Sequence, residues 1–171
     1  MKAPPFEYAR AASVAEACEL LRRHGDGAKL LAGGQSLVPM MAMRLVRPAW
    51  LIDINEIPAL KFVKIEKDAV RVGACTRQCT VERDDALAAR VPLLVQALAW
   101  VGHVQTRNRG TVGGSLAHAD PAAELPLVVT EEDLERFATA LDEVVAQAER
   151  LPRALVGFAL KAARAGVAAG R

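Results

Sequence analysis

The chain has 171 residues, a net charge of +2 with acids and bases interspersed, and only 4% aromatic residues. That length suits one domain, or one domain with an appendage, and lets a compact chain bury roughly 70% of its unfolded surface. Interspersed charge argues against the basic stripe of a nucleic-acid binder, and scarce aromatics argue against a base-stacking platform.

No apolar stretch approaches the roughly 20 residues of a membrane span, and Met1-Lys2-Ala3-Pro4-Pro5 has no apolar signal core behind it. The expected location is cytoplasmic. Cys18, Cys75 and Cys79 are too few for a disulfide framework and one short of the four sulfur ligands of an iron–sulfur cluster. Cys75 and Cys79 are spaced C-x3-C with no second cysteine or histidine pair nearby. Buried or half-buried thiols are the default reading there, with a metal site as the alternative.

Phe6-Glu7-Tyr8 alternates and suits a short edge strand. Ser13-Val14-Ala15-Glu16 is a capping box. The helix behind it aligns Val14, Ala17, Cys18, Leu20 and Leu21 on one side and ends with Arg22, Arg23 and His24, then Gly25. His24 reads as part of that C-terminal cap.

Ala28 to Ala32 reads as a short buried strand running into Gly33-Gly34, with a helix from Ser36 and Pro39 near its first turn. A strand, a glycine turn and a helix start aim free N–H groups at one point, which favours a phosphate or diphosphate. A tight turn without a ligand is the other reading. Glycine permits close backbone approach and positive φ. Met40, Met41, Met43 and Leu45 read as core. Trp50 to Ile54 is a strand, giving a parallel βαβ unit. Lys61 to Glu66 and Ala69 to Ala74 alternate around Lys67-Asp68 as an antiparallel hairpin.

Thr80-Val81-Glu82-Arg83 is expected to cap a short helix, and Pro92 to Trp100 to form an apolar one with Leu93, Leu94, Ala97, Leu98 and Val101 on one face. Gln105 to Gly110 reads as a polar basic loop. It leads into a second glycine pair, Thr111-Val112-Gly113-Gly114-Ser115-Leu116, of the same Gly-Gly pattern as Ala32-Gly33-Gly34-Gln35-Ser36-Leu37. Two such turns suggest one ligand held between two backbone segments.

The dinucleotide fingerprint, the P-loop and the G-x-S-x-G elbow are absent. Ser36 and Ser115 show no triad layout. His118 and Asp120 are two apart and read as polar loop residues, with an acid–base or metal pair as the weaker alternative. Two glycine segments, a basic loop and Glu124 fit a dinucleotide-sized ligand.

Leu30-Leu31-Ala32-Gly33-Gly34-Gln35-Ser36-Leu37-Val38-Pro39-Met40-Met41, followed by Asp53-Ile54-Asn55, resembles the first FAD-binding stretch of a known family. Thr106 to Pro126, centred on Thr111-Val112-Gly113-Gly114-Ser115, resembles the second. The family is the FAD-binding medium subunit of molybdenum hydroxylases, of the carbon monoxide dehydrogenase and xanthine dehydrogenase type.

The resemblance runs from about Phe6 to Pro126 and implies an α+β, two-subdomain FAD-binding fold. The first subdomain, about 1–56, would be a small parallel βαβ unit. The second, about 57–126, would be incomplete, followed by a helical tail at 127–171. Leu30, Leu31, Ala32, Gly33, Gly34, Gln35, Ser36 and Leu37 would wrap the FAD diphosphate. Thr111, Val112, Gly113, Gly114 and Ser115 would meet the cofactor from the other side, and Val101 and Glu124 would line it.

The resemblance further implies an oxidoreductase flavoprotein that passes electrons to an external acceptor. They would come from a molybdopterin-containing large subunit through a [2Fe–2S] small subunit. It implies no catalytic acid or base and no resident metal. The tail, where Thr130 to Asp133 cap a helix, vaguely resembles the end of ornithine-type aminotransferases. A truncated flavin domain binding FAD weakly, or a remnant or phosphate-binding module, is the alternative expectation.

Overall fold

The computed structural model describes residues 2–128. Strand β1 (Glu7–Arg10) leads to helix α1 (Val14–His24), a turn of 3-10 helix at Gly25–Gly27, strand β2 (Ala28–Leu31), helix α2 (Leu37–Ala42) and strand β3 (Trp50–Asp53). The strands form one parallel sheet in the order β1-β3-β2. Tyr8 and Lys29 both lie opposite Leu51, and Arg10 and Leu31 both lie opposite Asp53.

Helix α1 starts at the expected Ser13 cap, but only half of the capping box forms. The Glu16 N–H donates to the Ser13 hydroxyl at 3.1 Å, while the Glu16 carboxylate accepts from the N–H of Ala12, one residue earlier than a capping box needs. Its buried face, Ala17 and Leu21, packs on Ala11, Ala28, Ile52 and Ile57. His24 does more than end the helix: its ring stacks on Trp50, with centroids 4.0 Å apart.

The second half opens with a hairpin, β4 (Val63–Ile65) paired antiparallel with β5 (Val70–Val72). Six short helices follow: α3 (Gln78–Glu82), α4 (Asp85–Arg90), α5 (Pro92–Trp100), α6 (Val104–Arg109), α7 (Val112–His118) and α8 (Glu124–Val128). Val81, Leu87, Leu98, Val112 and Leu125 form its core, with Val63, Val70 and Val72 of the hairpin packed against it.

Three expectations change, and one falls on residues that are not described. Thr80 lies inside α3, and the side-chain cap belongs to Asp84, whose Oδ1 accepts from the N–H groups of Ala86 and Leu87 at 3.0 Å. Asp wins because its carboxylate sits at the extended residue before α4. The basic stretch after Gly102 is helical although Val104, Thr106 and Asn108 are weak helix formers, because Arg107 is anchored in the interior. Met41 alone of its apolar neighbours is buried, while Met43 is 50% and Leu45 70% exposed, because α2 ends at Ala42. The expected tail helices and the aminotransferase-like stretch lie outside the described residues, except that Leu127 and Val128 close α8.

Candidate cofactor site

All three strands of the parallel sheet run the same way, so the segments after Leu31 and Asp53 emerge at one edge. Ligands of open parallel sheets bind at that carboxyl edge. Gly33-Gly34 lies there, directly after β2. Gly34 takes φ +70°, a conformation that favours glycine. Gln35 Nε2 donates to the Gly33 carbonyl at 2.9 Å, and the Val38 N–H donates to the Gly34 carbonyl at 3.0 Å. The N–H groups of Gly33, Gly34, Gln35, Ser36 and Leu37 have no acceptor among the described residues. Five consecutive donors are thus left for solvent or for an anionic ligand.

The second glycine pair is built differently. Gly113 and Gly114 occupy the first turn of α7, not a loop. Thr111 caps that helix, its hydroxyl accepting from the Gly114 N–H at 3.1 Å. The N–H groups of Val112, Gly113 and Ser115 go to the carbonyls of Thr76, Ala74 and Thr111. All four N–H groups from Val112 to Ser115 are therefore used inside the protein. Likeness of sequence suggested two turns of one kind; hydrogen bonding separates a donor loop from a packed helical wall.

The two segments touch. A Cβ built on Gly33 would lie 2.6 Å from the Arg109 carbonyl oxygen and 2.8 Å from the Gly110 Cα. One on Gly114 would lie 3.7 Å from Ala32 Cβ. The structure thus brings Ala32, Gly33, Thr111 and Gly114 together, while Gly34 lies against Leu31 and Val38 of its own segment. Leu30 and Leu31 are residues of β2, upstream of the donors; Ser36 is exposed and Leu37 begins α2.

Val101 ends α5 and Glu124 begins α8, both half-buried, and no hydrogen bond joins either to a glycine segment among the described residues. The Val101 carbonyl is fixed by Arg107, whose Nη1 donates to it at 3.1 Å while Nε pairs with Glu82 at 2.8 Å. His118 ends α7 and is exposed, and Asp120 Oδ1 accepts from the Ala122 N–H.

Behind the donors stands a polar group that patterns of apolar residues and glycines do not reveal. Asn55, Arg77 and Asp53 are all half-buried there, and Asn55 donates to the Leu31 and Ala32 carbonyls. Burial pushes the Asp53 carboxyl up, but hydrogen bonds from the Tyr8 hydroxyl and from the Asn55 N–H and amide together hold it below its ordinary value. Cys75 is buried, its thiol 3.6 Å from the Ile54 carbonyl, and burial pushes its pKa up.

A donor-rich loop, glycine backbone for close approach and a wall packed against it fit an extended ligand with a diphosphate at its centre. The family model for the FAD binding domain in molybdopterin dehydrogenase matches residues 4–135. The chain belongs to this family, and FAD is the cofactor of its fold.

Relatives agree. The chain is 46% identical to the 6-hydroxypseudooxynicotine dehydrogenase complex subunit alpha of Paenarthrobacter nicotinovorans, over 82% of this chain and 47% of that one. It is 46% identical to the carbon monoxide dehydrogenase medium chain of Hydrogenophaga pseudoflava, over 72% and 43%. A solved carbon monoxide dehydrogenase from Hydrogenophaga pseudoflava superimposes with a TM-score of 0.74 at 45% identity, over 75% of this chain and 45% of that one. The chain spans about half the length of the curated relatives it matches. No helix among the described residues is long and apolar enough to cross a membrane.

Proposed function

We propose that the chain carries FAD in a molybdenum hydroxylase, taking electrons from iron–sulfur clusters and passing them to an external acceptor. Its partners are a molybdopterin-containing large subunit and a [2Fe–2S] small subunit, and its compartment is the cytoplasm. The observation that carries the reading is the row of five open donors from Gly33 to Leu37, laid against the Arg109–Thr111 backbone.

In this reading the N–H groups of Gly33, Gly34, Gln35, Ser36 and Leu37 hold the diphosphate. Leu30, Leu31 and Ala32 deliver that loop, and Thr111, Val112, Gly113, Gly114 and Ser115 supply the facing wall. Val101 and Glu124 line the cofactor from the helical half. FAD supplies the electron-transfer chemistry when bound, and the protein orients it and sets its surroundings. No side chain acts as catalytic acid or base. The flavin domain divides near residue 56 and runs to about 126, with 127–171 appended.

Flavin fluorescence tests the first step. The full chain is expected to quench added FAD in a saturable, stoichiometric way. Co-expression with the two partner subunits then tests the second: the bound flavin is expected to bleach when the holoenzyme is given its reducing substrate. Absence of any saturable FAD uptake would overturn the reading.

A further inference from the structure

Two polar side chains behind the glycine segments link one segment to the other. The Asn55 amide donates to the carbonyls of Leu31 (3.2 Å) and Ala32 (2.7 Å), the residues that lead into Gly33. Its oxygen accepts from Nη2 of Arg77 at 2.8 Å. Nη1 of Arg77 donates to the Arg109 carbonyl. That carbonyl oxygen is the atom a Cβ on Gly33 would meet. The contacts close a ring from Gly33 through Ala32, Asn55, Arg77 and Arg109 back to Gly33.

Asp53 fixes the orientation of Asn55, its Oδ1 accepting from the Asn55 N–H (2.8 Å) and from the side-chain amide (2.7 Å). Both polar atoms of the Asn55 side chain therefore have protein partners. Arg77 comes from the other half of the molecule, at the residue before α3, and its planar fork spans two acceptors on two segments. The same residue bridges Thr111 through the backbone.

We infer that Asn55 and Arg77 are positioning residues for the FAD diphosphate: they hold the open donors of Gly33 to Leu37 in register with the Arg109–Thr111 wall. The inference rests on the flavin reading. Neither side chain is a ligand of the cofactor in this scheme. Each acts through the main chain it fixes, so removing either releases the donor loop from its wall.

The test uses the full chain and the variants Asn55→Ala, Arg77→Met and the double variant. FAD dissociation constants are read by fluorescence quenching, beside the thermal unfolding midpoint of each flavin-free protein. Each single variant is expected to bind FAD about tenfold more weakly, the scale of one lost hydrogen bond to a charged group. Because the two side chains form one connection, the double variant is also expected to lose about tenfold, not about a hundredfold. Arg77→Lys is expected not to restore affinity, since an ammonium lacks the fork that spans both acceptors.

Unchanged affinity in both single variants, with FAD taken up normally by the unsubstituted chain, overturns the inference and leaves the flavin reading standing. Additive losses, or losses that track the unfolding midpoint, also overturn it, because they describe general destabilisation. No uptake by the unsubstituted chain removes both. Should Asn55→Ala not fold, Asn55→Asp takes its place: it keeps the size but loses the donors to Leu31 and Ala32.

Discussion

Gly33 rests its α-carbon on the backbone of Gly110: a Cβ there would stand 2.8 Å from the Gly110 Cα. The neighbours are main chain, which cannot rotate aside as a side chain can. Glycine at 33 is thus demanded by contact between two protein segments before any ligand arrives. Gly33→Ala is expected to push the segments apart and lower stability by about 1–3 kcal/mol, the cost of overpacking. Urea unfolding measures the loss. Saturable FAD quenching is expected to weaken in the same variant, and full stability with full affinity would refute the packing.

Gly113 and Gly114 are adjacent yet differently constrained. A Cβ on Gly113 would meet Ala74 Cβ, Cα and carbonyl oxygen at 2.6–2.8 Å, two of them main-chain atoms. On Gly114 it would meet only the Thr111 hydroxyl closer than 3.4 Å. Gly114→Ala is therefore expected to cost about 1 kcal/mol, the value of a disturbed N-cap. Gly113→Ala should cost more. Comparing the two urea midpoints decides it, and the reverse order would contradict the assignment.

Much of the first half was readable because local signals and tertiary structure agree there. Ser13 and Gly25 bound α1, and Ala28–Leu31 and Trp50–Asp53 became parallel neighbours, although of the expected buried strand at 28–31 only Ala28 is buried, since Lys29 and Leu30 face solvent on this sheet edge. The glycine pairs were legible as a site but not in their difference. Which N–H groups stay open depends on Ala74 and Thr76, about 40 residues away from the second pair and joined to it only by folding. Arg77 carried no signal at all, since one arginine among many charged residues shows nothing until Asn55 and the Arg109 carbonyl are brought to it. The segment from Val104 to Arg109 misled by its polarity: its helix is anchored by one buried cation, not by an apolar stripe.

That cation is Arg107, whose side chain is 11% exposed against 20% for its partner Glu82. The guanidinium also holds the carbonyls of Val101 and Gly102. Glu82→Ala would leave a largely buried charge without its counter-ion, at an expected cost of about 3 kcal/mol. Replacing both members by apolar residues should cost less than this single change. A double-mutant cycle in urea with Arg107→Met measures it. Additive losses would show that the pair does not act as a unit.

The thiols offer a chemical probe of the seam between the two halves. Cys75 is 2% exposed and its pKa is raised, first by burial, with Arg77 and Lys61 pulling it back only in part. A buried thiol with little thiolate alkylates slowly. In the native chain at neutral pH, iodoacetamide is expected to modify Cys79 before Cys75, as read by peptide mass mapping. Denaturation should equalise them. Early labelling of Cys75 would mean that the segment against Ile54 opens readily.

Asp53, at the end of β3, makes the fold sensitive to acid. Hydrogen bonds from Tyr8 and Asn55 outweigh burial and hold its folded pKa below the ordinary 3.8. The folded chain therefore binds fewer protons at this site than the unfolded chain near that value. The stabilisation is fully present above 3.8 and is lost as pH falls through the depressed folded value. Tyr8 behaves in the opposite sense. Its bond to Asp53 is the main cause of a raised pKa, so its contribution holds below 10.0 and is lost as pH rises through the folded value. Tyr8→Phe removes the shared bond. Its urea midpoint should fall below that of the unsubstituted chain near neutral pH, and the two should converge at the acid end. Curves that stay parallel down the acid limb would show that the Tyr8–Asp53 bond does not set this sensitivity.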